Sequence, residues 1–376
     1  MKKIVELCVR NVLFVSAAVT TLAIVLIVIF LFRQGVGLFA RPAVEEGFSL
    51  VVSAGNPVKK LTPQQVKLIF DGDVDNWSFL GGSHEPIEIY RWNEEIPVMN
   101  ERSIAFIPTQ YVSSLPGVRT VDMGRISPGD YFGGREWFPT SQPVPLFGVL
   151  PLLAGTLWVS LAAILFALPF GLAIAIYMAE LAPKRIHGIL KPVIELLAGI
   201  PSVVYGFFGL VVLVPLIQKS MNLPVGETAF AGAVVLAIMA LPTIVTVAAD
   251  ALRTVPKAAR EASLALGASQ MQTIFRVTIP YCASGILAAV VLGIGRAVGE
   301  TMAVLMVTGN AAIIPDSLFK PVRTIPATIA AELGEAPAGG AHYQALFMLG
   351  IILFFITLLI SISVEIMSSR KRRQEI

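Results

Sequence analysis

Arg296 and Glu300 are the two ionisable residues in "GIGRAVGETMAV", residues 293–304, inside an apolar stretch running from about residue 283 to 307. A charge at the centre of a bilayer costs about 2.5–3.5 kcal/mol on insertion scales, so such a residue normally faces a bundle interior or a water-filled cavity. Residues at i and i+4 share a helix face, so a continuous helix lets Arg296 and Glu300 pair. Two uses of such a pair are open: a buried salt bridge that fixes helix register, or a polar lining on a substrate path. Intramembrane ionisable residues are functional candidates by default. Gly295 and Gly299 add a small-xxx-small pair on a neighbouring stripe, which lets another helix approach closely.

A second constellation is "REASLALGASQMQTIFRVTIP", residues 260–280. Glu261, Ala262 and Ser263 are followed after three residues by Gly267, and after nine more by Val277, Ile279 and Pro280. This pattern resembles the EAA loop of importers in the ATP-binding-cassette superfamily. Ser263, Val277 and Ile279 are mild departures from the usual Ala and Ile-x-Leu-Pro. Two short helices joined at Gly267, where glycine relieves the bend, can present a knob to a groove on a partner. Read without that likeness, the same stretch is an amphipathic surface helix pair.

Chemistry beyond these two places is sparse. The chain has no G-x-x-x-x-G-K-[ST], and no Gly-Lys pair at all. "GIGRAVG" lacks the strand–turn–helix setting that a dinucleotide fingerprint needs. His84, His187 and His342 are scattered and form no metal-ligand or nucleophile–base pattern. Any ATP hydrolysis must come from a separate subunit.

The elements that position these residues are membrane helices. Of 376 residues, 55% are hydrophobic and only 14% charged, against about 25% charged in a soluble domain; mean hydropathy is +0.77. Runs of roughly 20 apolar residues span bilayers, and six are expected, at about 12–32, 150–177, 193–217, 230–249, 283–307 and 346–366. The third is punctuated by Pro201, Gly206, Gly209 and Pro215. Cys8 and Cys282, the only cysteines, lie near the starts of different runs, which predicts no structural disulfide. The first run reads as a retained helix.

Basic residues in the flanks and short loops set orientation. One side collects Lys2, Lys3, Arg10, Lys184, Arg185, Lys191, Arg253, Lys257, Arg260, Arg276 and the basic run at 370–373; the other has only Lys219, Lys320 and Arg323 in short loops. Both termini are therefore expected in the cytoplasm. The tail, 370–376, reads as a stop-transfer and lipid-headgroup anchor.

Residues 34–148 form an external loop whose part at about 43–126 is polar and reads as a small α/β insert. Thr62, Pro63 and Gln65 spell an N-cap, a first helical residue and a capping box. "FSLVVSA", "IEIYR", "SIAFIP" and "VRTVDMG" read as strands. The stretch "LTPQQVKLIFDGDVDNWSFLGGSHEPIEIYR" resembles part of the periplasmic phosphate-binding protein family. The anion-gripping loop of that family is missing after Arg91, where "WNEEIPVMNERSIAF" stands instead. The insert is read as a docking surface or a spacer.

The longer wording carries a further resemblance. "GREWFPTSQPVPLFGVLPLLAGTLWVSL", "ELLAGIPSVVYGFFGLVVLVPLI", "GIGRAVGETMAVLMVTGNAA", "TIPATIAAELGEAP" and "HYQALFMLG" resemble the PstC-type permease subunits of phosphate-specific importers, over the first span and from about residue 127 onward. The resemblance implies an all-α polytopic membrane protein with six helices in a type I importer (MetI-like) fold, plus the α/β insert. Residues 1–33 make the N-terminus and first helix, and 149–369 the transmembrane domain with its coupling loop at 253–280. It implies a permease for inorganic phosphate in the inner membrane, working with a homologous PstA-type permease, a dimer of PstB-type ATP-binding subunits and a PstS-type binding protein. No cofactor is expected in this chain, since ATP and Mg belong to the partner subunit, and no nucleic acid. It implicates Arg296 and Glu300 in substrate passage, and Glu261, Ala262, Ser263 and Gly267 in docking the ATP-binding subunit. Another oxyanion (sulfate, molybdate, phosphonate) or a membrane phosphate-sensing scaffold is the alternative.

Overall fold

Apolar sequence after Arg10 winds into α1 (Lys2–Gly37), whose side chains from Val12 to Phe30 are largely exposed, as expected of a helix that meets lipid. The computed structural model describes residues 2–45, 47–91 and 99–372. It divides into a unit of residues 1–149 with 336–351 and a unit of residues 150–335 with 352–376. The stretch 92–98, where the anion-gripping loop is missing from the sequence, and the end of the basic tail from 373 lie outside the described residues.

In the first unit, a four-stranded sheet has the order β2-β3-β1-β4, built from β1 (Phe48–Ser53), β2 (Glu88–Arg91), β3 (Ser103–Pro108) and β4 (Val118–Thr120). β1 pairs antiparallel with both β3 and β4, while β2 runs parallel to β3. α2 (Pro63–Asp71) begins as expected: Thr62 accepts from the Gln65 amide, and the Gln65 side chain accepts from the Thr62 amide. Trp77 is fully buried, its indole N–H donating to the Arg102 carbonyl at 3.0 Å.

A short α3 (Thr109–Val112) follows β3, and α4 (Pro128–Gly133) with the hairpin of β5 (Trp137–Phe138) and β6 (Leu146–Phe147) follows the insert. Tyr131 of α4 is buried and donates to the Ala345 carbonyl at 3.0 Å; burial holds its phenol well above the ordinary pKa, so it stays a neutral donor. Ala345 belongs to the start of the last helix, which also packs on α1: a Cβ on Gly35 would stand 2.6 Å from Ile351.

The second unit is a helical bundle: α5 (Leu150–Ile176), α6 (Lys184–Gly199), α7 (Ser202–Phe208), α8 (Val214–Met221), α9 (Ala229–Arg253), α10 (Lys257–Ala265), α11 (Gln270–Thr273), α12 (Ile279–Tyr281), α13 (Ala283–Gly299), α14 (Met302–Val307) and α15 (Ile325–Glu332), with the end of α16 (Ala341–Arg372). α9 is its axis, with 61% of its apolar window buried against 44% for the span begun by α5. Small residues permit that close packing. Ile244 of α9 is wedged between two glycines: a Cβ on Gly171 of α5 or Gly293 of α13 would come within 2.8 or 2.9 Å of it.

Among the described residues, five helical stretches are long and apolar enough to cross a membrane: Arg10–Ala40, Leu150–Leu181, Ser202–Met221, Ala229–Arg253 and Ala341–Ser363. Two expected spans are corrected. The third starts later than residue 193, at Ser202, because Pro201 has no amide to donate and forces Ile200 into an extended conformation (φ −68, ψ 128). The Tyr205 hydroxyl takes up the Leu197 carbonyl at 2.9 Å across that break.

The expected total of six is reached when the bent pair Gln270–Tyr281 and Ala283–Gly299 counts as one span, but the fifth span is then a broken one and not a single helix to residue 307. α13 meets the Gln270–Tyr281 segment at 73° and stops at Gly299. Gly293, Gly295 and Gly299 crowd its last turns, and glycine is a poor helix former.

Candidate functional site

Arg296 stands one turn before the end of α13, where a cation complements the negative end of the helix dipole. Its Nη1 is 3.4 Å from the Thr243 hydroxyl of α9. Glu300 has left the helix, with φ −71 and ψ 133. Its Oε1 accepts from the Thr301 amide at 3.2 Å, and the Thr301 hydroxyl donates to the Gly299 carbonyl at 3.3 Å.

The expected i,i+4 pairing is therefore overturned: no ion pair joins Arg296 to Glu300 among the described residues. The break removes the helical geometry that the pairing requires. Both side chains remain half-buried. Unwound backbone at membrane depth is tolerated where it is buried in protein or lines a water-filled cavity. Here Gly299 and Thr301 line an open cavity of ≈ 460 Å³, together with Pro326, Ala330 and Gly334. Among the described residues nothing packs on Gly295 or Gly299, since a Cβ at either would meet nothing within 4 Å.

Arg323 pairs with Glu332 of α15 at 2.7 Å, with both side chains largely buried. A Cβ on Gly155 of α5 would strike the Arg323 carbonyl at 2.3 Å. That glycine fixes how closely the 323 segment seats on α5.

The loop at 253–280 forms the two short helices expected of it. α10 carries Glu261, Ala262 and Ser263, Gly267 takes the left-handed conformation (φ +85), and Ser269 with Gln272 makes a capping box for α11. Ser263 and Thr273 hydroxyls are 2.9 Å apart and tie the two helices together. Glu261 and Ala262 are exposed, and Leu266, at the turn, is 90% exposed. Sequence reasoning passed over Leu266. Its signal was an apolar residue placed directly before the turn glycine. Thr243 was likewise missed, because an ordinary threonine in an apolar run carries no motif.

The model of the binding-protein-dependent transport system inner membrane component family matches residues 171–373. This chain belongs to that family. It is a multi-pass membrane permease component, the class of its relatives, which are transport subunits rather than enzymes. A PBP superfamily domain model matches residues 29–95, which include β1, α2 and β2 of the insert. A probable ABC transporter permease protein, YqgH, of Bacillus subtilis is 40% identical over 256 residues, covering 68% of this chain and 82% of that protein. The phosphate transport system permease protein PstC of Mesorhizobium japonicum is 41% identical over 249 residues, covering 61% and 75%. A chain of the MetNI methionine ABC transporter in an inward-facing conformation aligns with TM-score 0.47 and 17% identity, over 58% of this chain and 95% of that one.

Proposed function

We infer that this chain is the permease subunit of an ATP-driven importer that carries inorganic phosphate across the cytoplasmic membrane. What carries the reading is Arg296, a guanidinium at a helix break of the membrane domain with no carboxylate partner among the described residues. It is supported by relatives that are named for phosphate transport. A planar fork of N–H donors suits a tetrahedral oxyanion, and a charge bound to no fixed counterion is available to a passing anion. Arg296 and Glu300 are assigned to the substrate path.

Glu261, Ala262, Ser263 and Gly267, with the exposed Leu266, are assigned to docking an ATP-binding subunit, which supplies ATP and Mg chemistry from outside this chain. A second, homologous permease and a periplasmic phosphate-binding protein complete the importer. Both termini are placed in the cytoplasm, and the α/β insert outside. The insert resembles a binding-protein fragment without its anion-gripping loop, which supports docking or spacing over phosphate capture.

The test is ATP-dependent phosphate uptake in vesicles carrying the assembled complex, for wild type, Arg296→Gln and Glu300→Gln. Uptake that falls while assembly and ATPase hold supports the assignment. Complexes that fail to assemble would reduce both residues to structural parts.

A further inference from the structure

The loop at 253–280 is tied to the bundle by a largely buried ion pair. Arg260 Nη2 is 2.8 Å from Glu180 Oε1 and donates to the Leu252 carbonyl at 2.7 Å. Glu180 is 8% exposed and Arg260 23%, whereas Lys257, Glu261 and Arg276 of the same loop are exposed. Glu180 sits in a π turn, Tyr177–Leu181, that ends the span begun by α5; such turns recur at functional sites. Leu252 lies in the last turn of α9. The Gln270 side chain of α11 adds a bond to the Glu180 carbonyl at 3.2 Å. One guanidinium thus joins α10 to the ends of the two helices that pack most extensively in the bundle.

We propose that Arg260 is the positioning residue that transmits a displacement of the coupling loop to α5 and α9, through Glu180 and the Leu252 carbonyl. This rests on reading residues 253–280 as the docking loop. Glu261 faces outward beside it, so adjacent residues divide the work: Glu261 meets the partner and Arg260 holds the bundle. Arg260 Nη2 stands at ion-pair distance from the carboxylate while it donates to the carbonyl, and a planar guanidinium is pre-organised for that placement where an ammonium on a flexible stem is not. Removing either partner leaves a charge buried without its counterion.

The experiment measures phosphate moved per ATP hydrolysed by the complete complex in vesicles, for wild type, Arg260→Gln, Arg260→Lys, Glu180→Gln and the Arg260→Gln/Glu180→Gln double variant. Each single variant is expected to assemble and hydrolyse ATP, with the ratio falling on the order of tenfold, within the range of ordinary coupling energies. The double variant is expected to fall no further, because the two residues act as one unit. Unchanged ratios, or single effects that multiply in the double variant, overturn the proposal. If the glutamine variants fail to assemble, Arg260→Lys decides: a lowered ratio in an intact complex supports the proposal, and a wild-type ratio overturns it. A wild-type chain that recruits no ATP-binding subunit overturns the docking reading, and the proposal with it.

Discussion

Nη1 of Arg296 lies 3.4 Å from the Thr243 hydroxyl of the central helix, and its expected partner Glu300 bonds instead to the neighbouring Thr301 amide. The two charges are separated by the end of a helix. Arg296 is oriented by a neutral hydroxyl, which steers a guanidinium without neutralising it. Most of its donors remain available, since arginine has five in a fixed fork.

Arg296→Lys should raise the phosphate concentration needed for half-maximal uptake by about tenfold or more, because charge-assisted hydrogen bonds contribute about 1.5–3 kcal/mol. Thr243→Val, which keeps volume and removes the hydroxyl, should cause a smaller increase, with Thr243→Ser close to wild type. Uptake kinetics in vesicles would read all three. Equal uptake by wild type and Thr243→Val would show that the hydroxyl does not orient the cation.

The turn at Leu266 and Gly267, proposed above to dock an ATP-binding subunit, makes a separable prediction. Leu266 is 90% exposed and supports nothing inside the chain. Leu266→Ser should leave the thermal midpoint of the purified chain unchanged and weaken co-purification of the ATP-binding subunit. Gly267→Val should disturb the chain itself, since φ +85 costs a side-chain-bearing residue about 1–2 kcal/mol. A Leu266→Ser chain that binds the ATP-binding subunit normally would move the docking contact away from the turn.

Much of this architecture was legible in residue types alone. The insert helix announced itself through Thr62, Pro63 and Gln65, whose bonds are local and close within one turn. Its strands followed from β-branched runs. The two short helices at 253–280 followed from Glu261 and Gly267 with their fixed spacing. What escaped was decided by tertiary geometry. Apolar content cannot say where a span breaks, so the start of the third span and the break within the fifth were placed wrongly. The partners of Arg296, Arg260 and Arg323 come from elements 53, 80 and 9 residues away, and spacing along one helix could not supply any of them.

Glycine packing predicts opposite outcomes for two similar changes. Gly155→Ala puts a methyl group 2.3 Å from the Arg323 carbonyl, a backbone atom with little freedom to retreat. It should destabilise the chain by about 1–3 kcal/mol, the usual cost of overpacking, and loosen the Arg323–Glu332 pair. Gly295→Ala meets nothing within 4 Å and should be neutral or slightly stabilising for the isolated chain. Thermal midpoints in detergent would compare them. A neutral Gly155→Ala would mean that the 323 segment shifts freely on α5.

Glu300 carries the last prediction. A bare carboxylate repels an oxyanion, so its proposed assignment to the path needs a reason. Phosphate near neutral pH still bears a proton, which a carboxylate can accept as a hydrogen bond, whereas sulfate bears none. An ionised carboxylate is acceptor-only, while a glutamine in its place also donates. Glu300→Gln should therefore lower the preference for phosphate over sulfate in competition uptake, with total transport of both anions measured in the same vesicles. Its bond to the Thr301 amide can be kept by the glutamine carbonyl, so the helix break should survive the change. An unaltered preference in Glu300→Gln would remove proton acceptance from its role and leave that backbone bond, which holds the break open, as its contribution.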